Sequence, residues 1–332
     1  AASPCQPFVN PVEYTGKASA AIPRDKLPKD GYYQVWIPTP ILTAAQTNAR
    51  VLSVWPREYA NLPATIDRDL GTIYLDIPLE KIKDDLEIGI EFAFTHYEQR
   101  FAIDPEKVGQ YDTNSDLYKQ YTASTGNTII SDPMADTARK IVGDETNPYL
   151  MARKIYDHVV DETTYSHVPH AALPILDYPE SKYVFEKRYG DCGAQSMYFS
   201  ALCRSVGIPA RTTGGFQMIG GETGSHFWAE FYLPNYGWLP VDTSVAQLYK
   251  YLPEMSKKEQ QDYKDFFFGN LDPYRYVIQK DVDLVPSPPP SEKLFFPMVF
   301  QLPEVVCRSY TADQIPGLEL IEAWKTEVNR VE

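Results

Sequence analysis

The sequence predicts an α+β protein in which an all-β domain precedes a domain of helices and antiparallel strands. Two changes of period along the chain support this prediction. In the first hundred residues, large apolar residues alternate with polar ones at the period of two expected of strands. From Ser131 the apolar residues follow a helical period, and strand-like runs return after Arg211. The length of 332 residues suits about two domains, and the 43% hydrophobic content is ample for a large core.

The strand pattern of the first domain is clearest in four runs separated by turn signals, which predict a β-sandwich over residues 1–115. The segment from Asp67 to Gly71 has a few ligand types of a calcium loop, but it lacks the third ligand and the closing Glu. We therefore interpret it as a hairpin turn. The four runs are Tyr32–Pro38, Val51–Trp55, Thr72–Ile77 and Leu86–Phe92.

Two helices are predicted after Ser131, each beginning with a capping side chain followed by proline. The pairs stand at residues 132–133 and 147–148, and the helices are expected to end near Gly143 and Thr163. Three histidines in or near this region lack an obvious orienting carboxylate, so we interpret them as solvated or locally bonded. They are His158, His167 and His170.

A third helix is predicted to begin at Cys192, with Asp191 as its cap, and to end before Gly207. Unpaired N–H groups and the positive end of the helix dipole stabilise a thiolate at that position. Cys192 is therefore a candidate nucleophile. Cys203 lies among apolar residues in the middle of the same helix and is interpreted as an inert core thiol.

The runs 225–232 and 238–242 predict two antiparallel strands joined by a turn. A five-residue connection, Leu233 to Gly237, places His226 and Asp242 on one face as diagonal neighbours, within side-chain reach. A four-residue connection would place them on opposite faces. Together with Cys192, these residues supply a thiolate to attack a carbonyl, an imidazole to move the proton and a carboxylate to orient the ring.

The runs YGDCGAQSMYFSALCRSVGIPAR and SHFWAEFYLPNYGWLPVDTS resemble the transglutaminase-like superfamily of papain-like cysteine enzymes. The resemblance implies a papain-like transglutaminase core over residues 116–284, with the Cys helix packed on an antiparallel sheet. It also implies that Cys192 is the nucleophile, His226 the base and Asp242 the orienting group. Family members use an aromatic side chain upstream of the Cys for the oxyanion, and Tyr178 occupies a loosely similar position.

The resemblance implies acyl-enzyme chemistry on a peptide or protein substrate, and it leaves the acceptor open. The first hypothesis is a cysteine peptidase or amidase. A transglutaminase that joins Gln side chains to amines is the alternative, and a catalytically silent binding protein of the same fold is the second alternative. The motifs call for no cofactor, and no metal-ligand spacing of the C-x-x-C or H-E-x-x-H type occurs.

Charge and apolar content restrict the partners. The net charge of −14 argues against nucleic acid or an anionic membrane surface as a partner. The sequence has no run of about 18 apolar residues, so no membrane span is predicted. The oligomeric state cannot be derived from the sequence.

The N-terminal run AASPCQPF lacks the basic and apolar segments of a signal peptide. It is compatible with the start of a chain from which a signal peptide has been cleaved behind a small-residue site. We therefore expect export to the periplasm or the medium, with the cytoplasm as the alternative. Cys5 and Cys307 either join the two ends by a disulfide or are two buried thiols, and both alternatives stay open.

The last part of the chain, residues 285–332, is interpreted as a proline-rich spacer followed by an extension that packs back on the body. Its final run, Leu318 to Val331, is expected to be a short amphipathic helix.

Overall fold

The structure is a computed structural model that describes residues 6–294, 296, 298–311 and 314–332. Strands in the described part alternate with short 3-10 turns and helices along the chain. In chain order they are β1 (Phe8–Ile22), β2 (Tyr32–Pro38), β3 (Gln46–Trp55), β4 (Ala60–Thr65), β5 (Thr72–Pro78), β6 (Leu86–Arg100), β7 (Thr164–Tyr165), β8 (Tyr189–Gly190), β9 (Ala210–Gln217), β10 (Gly224–Leu233), β11 (Gly237–Val241), β12 (Asn270–Leu271), β13 (Arg275–Gln279), β14 (Glu304–Val306) and β15 (Lys325–Arg330).

The α-helices of the described residues concentrate between β6 and β12, as the change of period predicts. They are α1 (Asp116–Thr122), α2 (Asp132–Val142), α3 (Pro148–Glu162), α4 (Glu180–Lys187), α5 (Cys192–Ser205), α6 (Thr243–Ala246), α7 (Lys257–Phe266) and α8 (Leu318–Ala323).

The predicted caps of α2 and α3 have different outcomes. Asn147 caps α3, since its side chain accepts from the N–H groups of Tyr149 and Leu150. Asp132 does not cap α2, because the helix already includes it and Ser131 is the residue at the cap position. The prediction for Asp132 was therefore wrong by one residue, whereas the expected ends at Gly143 and Thr163 are confirmed.

Contacts divide the chain into two compact units that are not contiguous in sequence. The first unit contains residues 1–9, 98–213 and 226–272, and the second contains 10–97, 214–225 and 273–332. The ranges expected from the sequence, 1–115, 116–284 and 285–332, are consecutive instead. The difference arises because strands from distant parts of the chain pair within the second unit.

The second unit is a β-sandwich. One sheet has β1 between β6 and β15, with β3 also paired to β6, and the other has the order β14-β2-β5-β4. Side chains from both sheets, such as Phe92 and Val35, belong to one buried hydrophobic core. The four predicted strands correspond to β2, β3, β5 and β6, and β4 and β5 form the hairpin predicted around residues 67–71.

The tail of the chain contributes two strands to this sandwich. Strand β14 pairs with β2, and β15 pairs with β1, with Lys325 opposite Ser19. The expected helix over 318–331 was therefore wrong in its second half: α8 ends at Ala323 and β15 follows. Cys307 is buried, and Cys5 lies outside the described residues, so the two alternatives for this pair remain predictions.

The first unit places α5 in the middle of the helices, in contact with α2, α3 and α4. Every residue of α5 from Ala194 to Arg204 is buried. Strands β10 and β11 form an antiparallel hairpin in which Leu233 lies opposite Gly237. This confirms the predicted five-residue connection and fixes which side chains share a face. None of the helices in the described residues is long and apolar enough to cross a bilayer.

Candidate active site

Cys192 is the first residue of α5 and is partly exposed. The backbone of Asp191 is extended, and its Oδ1 accepts from the N–H of Ala194 at 3.0 Å, so Asp191 caps the helix as predicted. The N–H of Cys192 belongs to the first turn, where no carbonyl of the helix is available to it. The Cys192 side chain and a backbone hydrogen-bond donor therefore lie at the same helix end.

His226 is a buried residue of β10 whose Nε2 lies 2.8 Å from Oδ2 of Asp242. The ring also hydrogen-bonds the side chain of Cys192. Because Nε2 is used by Asp242, Nδ1 is the nitrogen left for the thiol. Burial alone lowers the pKa of His226, but the charges of Asp242 and Cys192 outweigh it and raise the pKa to about 9.

Asp242 follows β11 and is fully buried. It is also the N-cap of α6: its Oδ1 accepts from the N–H of Val245 at 3.1 Å and from the hydroxyl of Ser244 at 3.3 Å. Because these bonds fix one carboxylate oxygen, the other is held in place against His226. The structure thus brings Cys192, His226 and Asp242 together.

A buried glutamine ties α5 to the segment that follows Asp242. The amide nitrogen of Gln195 donates to the carbonyl of Gly190 at 2.9 Å and to the side-chain oxygen of Gln247 at 3.1 Å. Its oxygen accepts from the hydroxyl of Thr243 at 3.1 Å. A Cβ on Gly190 would lie 2.9 Å from Val184, so only glycine permits this close approach. We call these bonds the Gln195 cluster.

Tyr178, the oxyanion candidate from the sequence, has its hydroxyl committed elsewhere. The hydroxyl donates to Glu186, and the ring packs edge-on against Tyr183 at 5.7 Å. A different tyrosine lies within the electrostatic range of the site: burial and the charges of Cys192, Asp191 and Asp242 raise the pKa of Tyr165 to about 12.

Tyr165 reaches this position through a short pair of parallel strands. Strands β7 and β8 are paired, and Tyr165 lies opposite Gly190. Gly190 precedes Cys192, the nucleophile candidate, by two residues. Sequence reasoning missed Tyr165 because a two-residue strand has no recognisable period. The weak signal that existed was an aromatic residue upstream of the Cys, and several tyrosines meet that description.

His170 is a second residue that the sequence reasoning did not assign to the site. Its Nδ1 lies 2.6 Å from Oε1 of Glu180, and its Nε2 lies 2.5 Å from Oδ2 of Asp191. The interpretation of His170 as a solvated or locally bonded ring did not identify either carboxylate. The two partners are ten and twenty-one residues away in sequence, and the intervening segment has no regular period, so only the folded chain shows the contact.

The arginines of the R-x-x-G-I-P-A-R motif are structural. Arg204 donates to the carbonyls of Ala210 and Ala123. Arg211 pairs with Glu230 at 2.6 Å, and its guanidinium lies 3.9 Å from the centre of the Trp238 ring. These contacts hold α5 and the hairpin in place and leave the chemistry to other residues.

Cys203 is fully buried, and burial raises its pKa well above the usual value, which agrees with the interpretation of an inert thiol. No group of three or more His, Cys, Asp or Glu side chains in the described residues is arranged to hold a metal ion.

Comparison with known proteins finds a family that matches the middle of the chain. Residues 135–243 match the transglutaminase-like superfamily. An uncharacterized protein of Haemophilus influenzae is 24% identical over 311 residues, covering 83% of this chain and 81% of that protein. A protein-glutamine gamma-glutamyltransferase of Pseudomonas aeruginosa is 32% identical over 84 residues, covering 22% of this chain and 12% of that protein. This chain therefore spans only a small part of the second relative.

Among solved structures, a candidate cysteine protease of Cytophaga hutchinsonii has a TM-score of 0.54 at 13% identity, covering 96% of this chain and 98% of that one. This likeness shows the fold alone. The periplasmic domain of TgpA from Pseudomonas aeruginosa covers 76% of this chain and 92% of that chain at 12% identity. Its TM-score of 0.36 supports no inference, and the expected export stays a prediction. The chain thus carries a transglutaminase-like domain with α+β architecture.

Proposed function

We propose that the protein is a cysteine hydrolase that cleaves peptide-like amide bonds through a thioester on Cys192. The observation that carries this proposal is the buried His226 ring, hydrogen-bonded to Asp242 on one side and to Cys192 on the other. With the raised pKa of His226, a proton resides on the imidazole at neutral pH, and this charge favours a thiolate on Cys192 in the proposed mechanism. This ion pair is the reactive form of a cysteine nucleophile.

Acylation begins when the Cys192 thiolate attacks the carbonyl carbon of the substrate. A C–S bond forms, and the carbonyl oxygen becomes an oxyanion. The His226 imidazolium then gives its proton to the amide nitrogen, the C–N bond breaks, and the amine leaves. The product is a thioester on Cys192 and a neutral imidazole that remains bonded to Asp242.

Deacylation uses the neutral His226 as a general base. It removes a proton from water as the water oxygen attacks the thioester carbonyl. The C–S bond breaks, the acid product leaves, and the thiolate–imidazolium pair is restored. Asp242 stays ionised in both halves, where it keeps the ring oriented and stabilises its charged form.

The oxyanion has two candidate donors in this proposal, the backbone N–H of Cys192 and the hydroxyl of Tyr165. The raised pKa of Tyr165 keeps that hydroxyl protonated at neutral pH, so it can donate a hydrogen bond. Tyr178 is the weaker candidate, because its hydroxyl already donates to Glu186.

Protein cross-linking is the second candidate function, and one comparison favours it. The segment of 84 residues that is 32% identical to the Pseudomonas aeruginosa relative is shared with a protein-glutamine gamma-glutamyltransferase. The acylation step would be the same on a Gln carboxamide, with ammonia leaving. A Lys amine instead of water would then attack the thioester.

A catalytically silent binding protein is the third candidate. It is disfavoured because the nucleophile, the histidine and the carboxylate are all present and in hydrogen-bond contact. A chain that had lost catalysis would have no need to keep Asp242 buried against His226.

The deciding experiment is a peptide-library digest by the purified protein, with and without a primary amine, read by mass spectrometry. New termini, or a gain of 1 Da at Gln, support the hydrolase. Products that contain the amine support cross-linking. In either case Cys192→Ala should abolish the products, whereas Cys203→Ala should retain them. If neither product appears and Cys192 carries no acyl adduct, the binding protein is the better description.

A further inference from the structure

A histidine with two carboxylate partners lies directly behind the proposed nucleophile. His170 sits in a turn-rich segment before α4, and its ring bridges Oε1 of Glu180 and Oδ2 of Asp191, at 2.6 and 2.5 Å. The Glu180 side chain is only 1% exposed, whereas the His170 and Asp191 side chains are 31% and 19% exposed. We call this arrangement the carboxylate–histidine bridge.

The position of Asp191 creates an electrostatic problem that the bridge solves. Its carboxylate caps α5 through Oδ1 and immediately precedes Cys192. A negative charge at this place is stabilised by the positive end of the helix dipole, but it offsets the dipole's effect on Cys192 and repels a thiolate there. Without a compensating charge, the Asp191 carboxylate would disfavour a thiolate on Cys192.

The ring of His170 supplies the compensating charge. Both of its nitrogens face carboxyl oxygens, and an ionised carboxylate can only accept, so a ring with protons on both nitrogens satisfies both contacts. Burial by itself lowers the pKa of His170, but the hydrogen bonds and charges of Asp191 and Glu180 outweigh it and raise the pKa to about 10. His170 is therefore a cation at neutral pH.

We propose that His170 is a positioning residue that holds the Asp191 carboxylate and neutralises its charge beside Cys192, so that the thiolate forms at neutral pH. The proposal rests on the proposed function, since it assigns a role to the same nucleophile. His170 acts through Asp191 and does not touch the reacting atoms. Glu180 keeps the ring in place from its buried side.

The other groups around the two centres define what the test must separate. Cys192 interacts with His226 from β10 and with Tyr165 from β7, and both of these groups also interact with Asp242 at the start of α6. His170 is faced by Glu180 from α4 and by Asp191 before α5. Among these groups, Asp191 is the one that immediately precedes Cys192 and also hydrogen-bonds the His170 ring.

The test measures the pH midpoint of Cys192 alkylation by iodoacetamide, with modification of Cys192 read by mass spectrometry. In His170→Gln, which keeps a donor but loses the charge, we expect the midpoint to rise by about 0.5–1 pH unit. This is smaller than the roughly 1–3 units of a direct charge pair, because Asp191 is partly solvated. In the Asp191→Asn background, where Asn still caps the helix, the same change should shift the midpoint by less than half as much.

Two results would overturn the proposal: an unchanged midpoint in a folded His170→Gln protein, or an equal shift in both backgrounds. If His170→Gln does not fold, NMR of the ring nitrogens in the unaltered protein decides instead, since a His170 that is neutral at pH 8 rules the bridge out. Alkylation reports the thiolate without turnover. If His170→Gln shows the expected shift of the midpoint but the unaltered protein yields no peptide products, the proposed function is contradicted. The role of the carboxylate–histidine bridge is then still supported.

Discussion

Asp191 and Asp242 use their carboxylates in the same way. Each caps a helix with Oδ1, and each holds a histidine ring with Oδ2: Asp191 holds His170 at 2.5 Å and Asp242 holds His226 at 2.8 Å. In both, the capping bonds fix the carboxylate and the carboxylate fixes the ring. The ordered backbone at each helix start thus fixes the orientation of an imidazole ring.

The two aspartates should respond differently to the same substitution. In Asp242→Asn, the cap survives but the charge that orients and protonates His226 is lost, so we expect kcat/KM on a cleaved peptide to fall by about 10²–10⁴-fold. In Asp191→Asn, no contact with the proton-transfer ring is lost, and we expect a change below about tenfold. Steady-state kinetics on both variants, with melting curves to show that each is folded, make the comparison. Equal losses of kcat/KM in the two variants would mean that the charge of Asp242 is not needed to orient and protonate His226.

The pH profile should reflect the pKa of about 9 at His226. Acylation needs the imidazolium to protonate the leaving amine, so kcat/KM for an amide should decline as the pH rises through about 9. A thioester substrate, whose leaving group needs no proton, should keep its rate over that range. A decline of both substrates with one midpoint would instead indicate unfolding or another group.

The same pKa makes a prediction for stability. The value of about 9 in the folded protein exceeds the usual 6.5, so the protonated ring adds stability below pH 6.5 that is lost as the pH rises through 9. The free energy of unfolding in urea should therefore differ more between the unaltered protein and His226→Gln at pH 6 than at pH 9.5. A difference independent of pH would show that folding leaves the pKa of His226 unchanged.

Tyr165 and Tyr178 form a matched pair for testing the oxyanion assignment. We expect Tyr165→Phe to lower kcat by about 10–10³-fold with little change in KM, because the hydroxyl is needed where charge develops in the transition state. Tyr178→Phe removes a hydroxyl that bonds Glu186, and kcat should stay within about twofold. The reverse pattern would restore Tyr178 to the role derived from the sequence.

The Gln195 cluster should be important for stability as well as for alignment. Gln195→Ala leaves the buried carbonyl of Gly190 and the hydroxyl of Thr243 without these partners, at a cost of about 2–4 kcal/mol in the free energy of unfolding. The exposed Gln110 provides the control, since Gln110→Ala should cost less than about 0.5 kcal/mol. Urea titrations measure both values. A loss as small for Gln195 as for Gln110 would show that the cluster is not needed.

The parts of the fold that local sequence determines were predictable. Strand β2 has the predicted bounds, Tyr32–Pro38, because aromatic and β-branched residues fill this run. The hairpin register followed from the length of one connection, Leu233–Gly237, and it brought His226 to Asp242. In each case the deciding information lies within about twenty residues, where period and turn chemistry are reliable.

Strand β1 was missed because three successive inward residues in its middle are small. Gly16, Ala18 and Ala20 carry too little apolar surface for a visible alternation. The partner side chains explain the small residues: a Cβ on Gly16 would lie 2.3 Å from the ring of Phe92. His170 was missed for a related reason, since its partners are defined by the packing of a loop against two helices. Such contacts leave no period in the sequence.

The pairing of β15 with β1 has a consequence for biosynthesis. Ser19 is made roughly 300 residues before its partner Lys325, and this interval is on the order of 15–60 s at typical translation rates. One edge of β1 therefore stays open until β15 has been made, although β6 can cover the other edge much sooner. An open edge invites pairing with neighbouring chains. Shielding of this edge until β15 has been made would prevent such pairing.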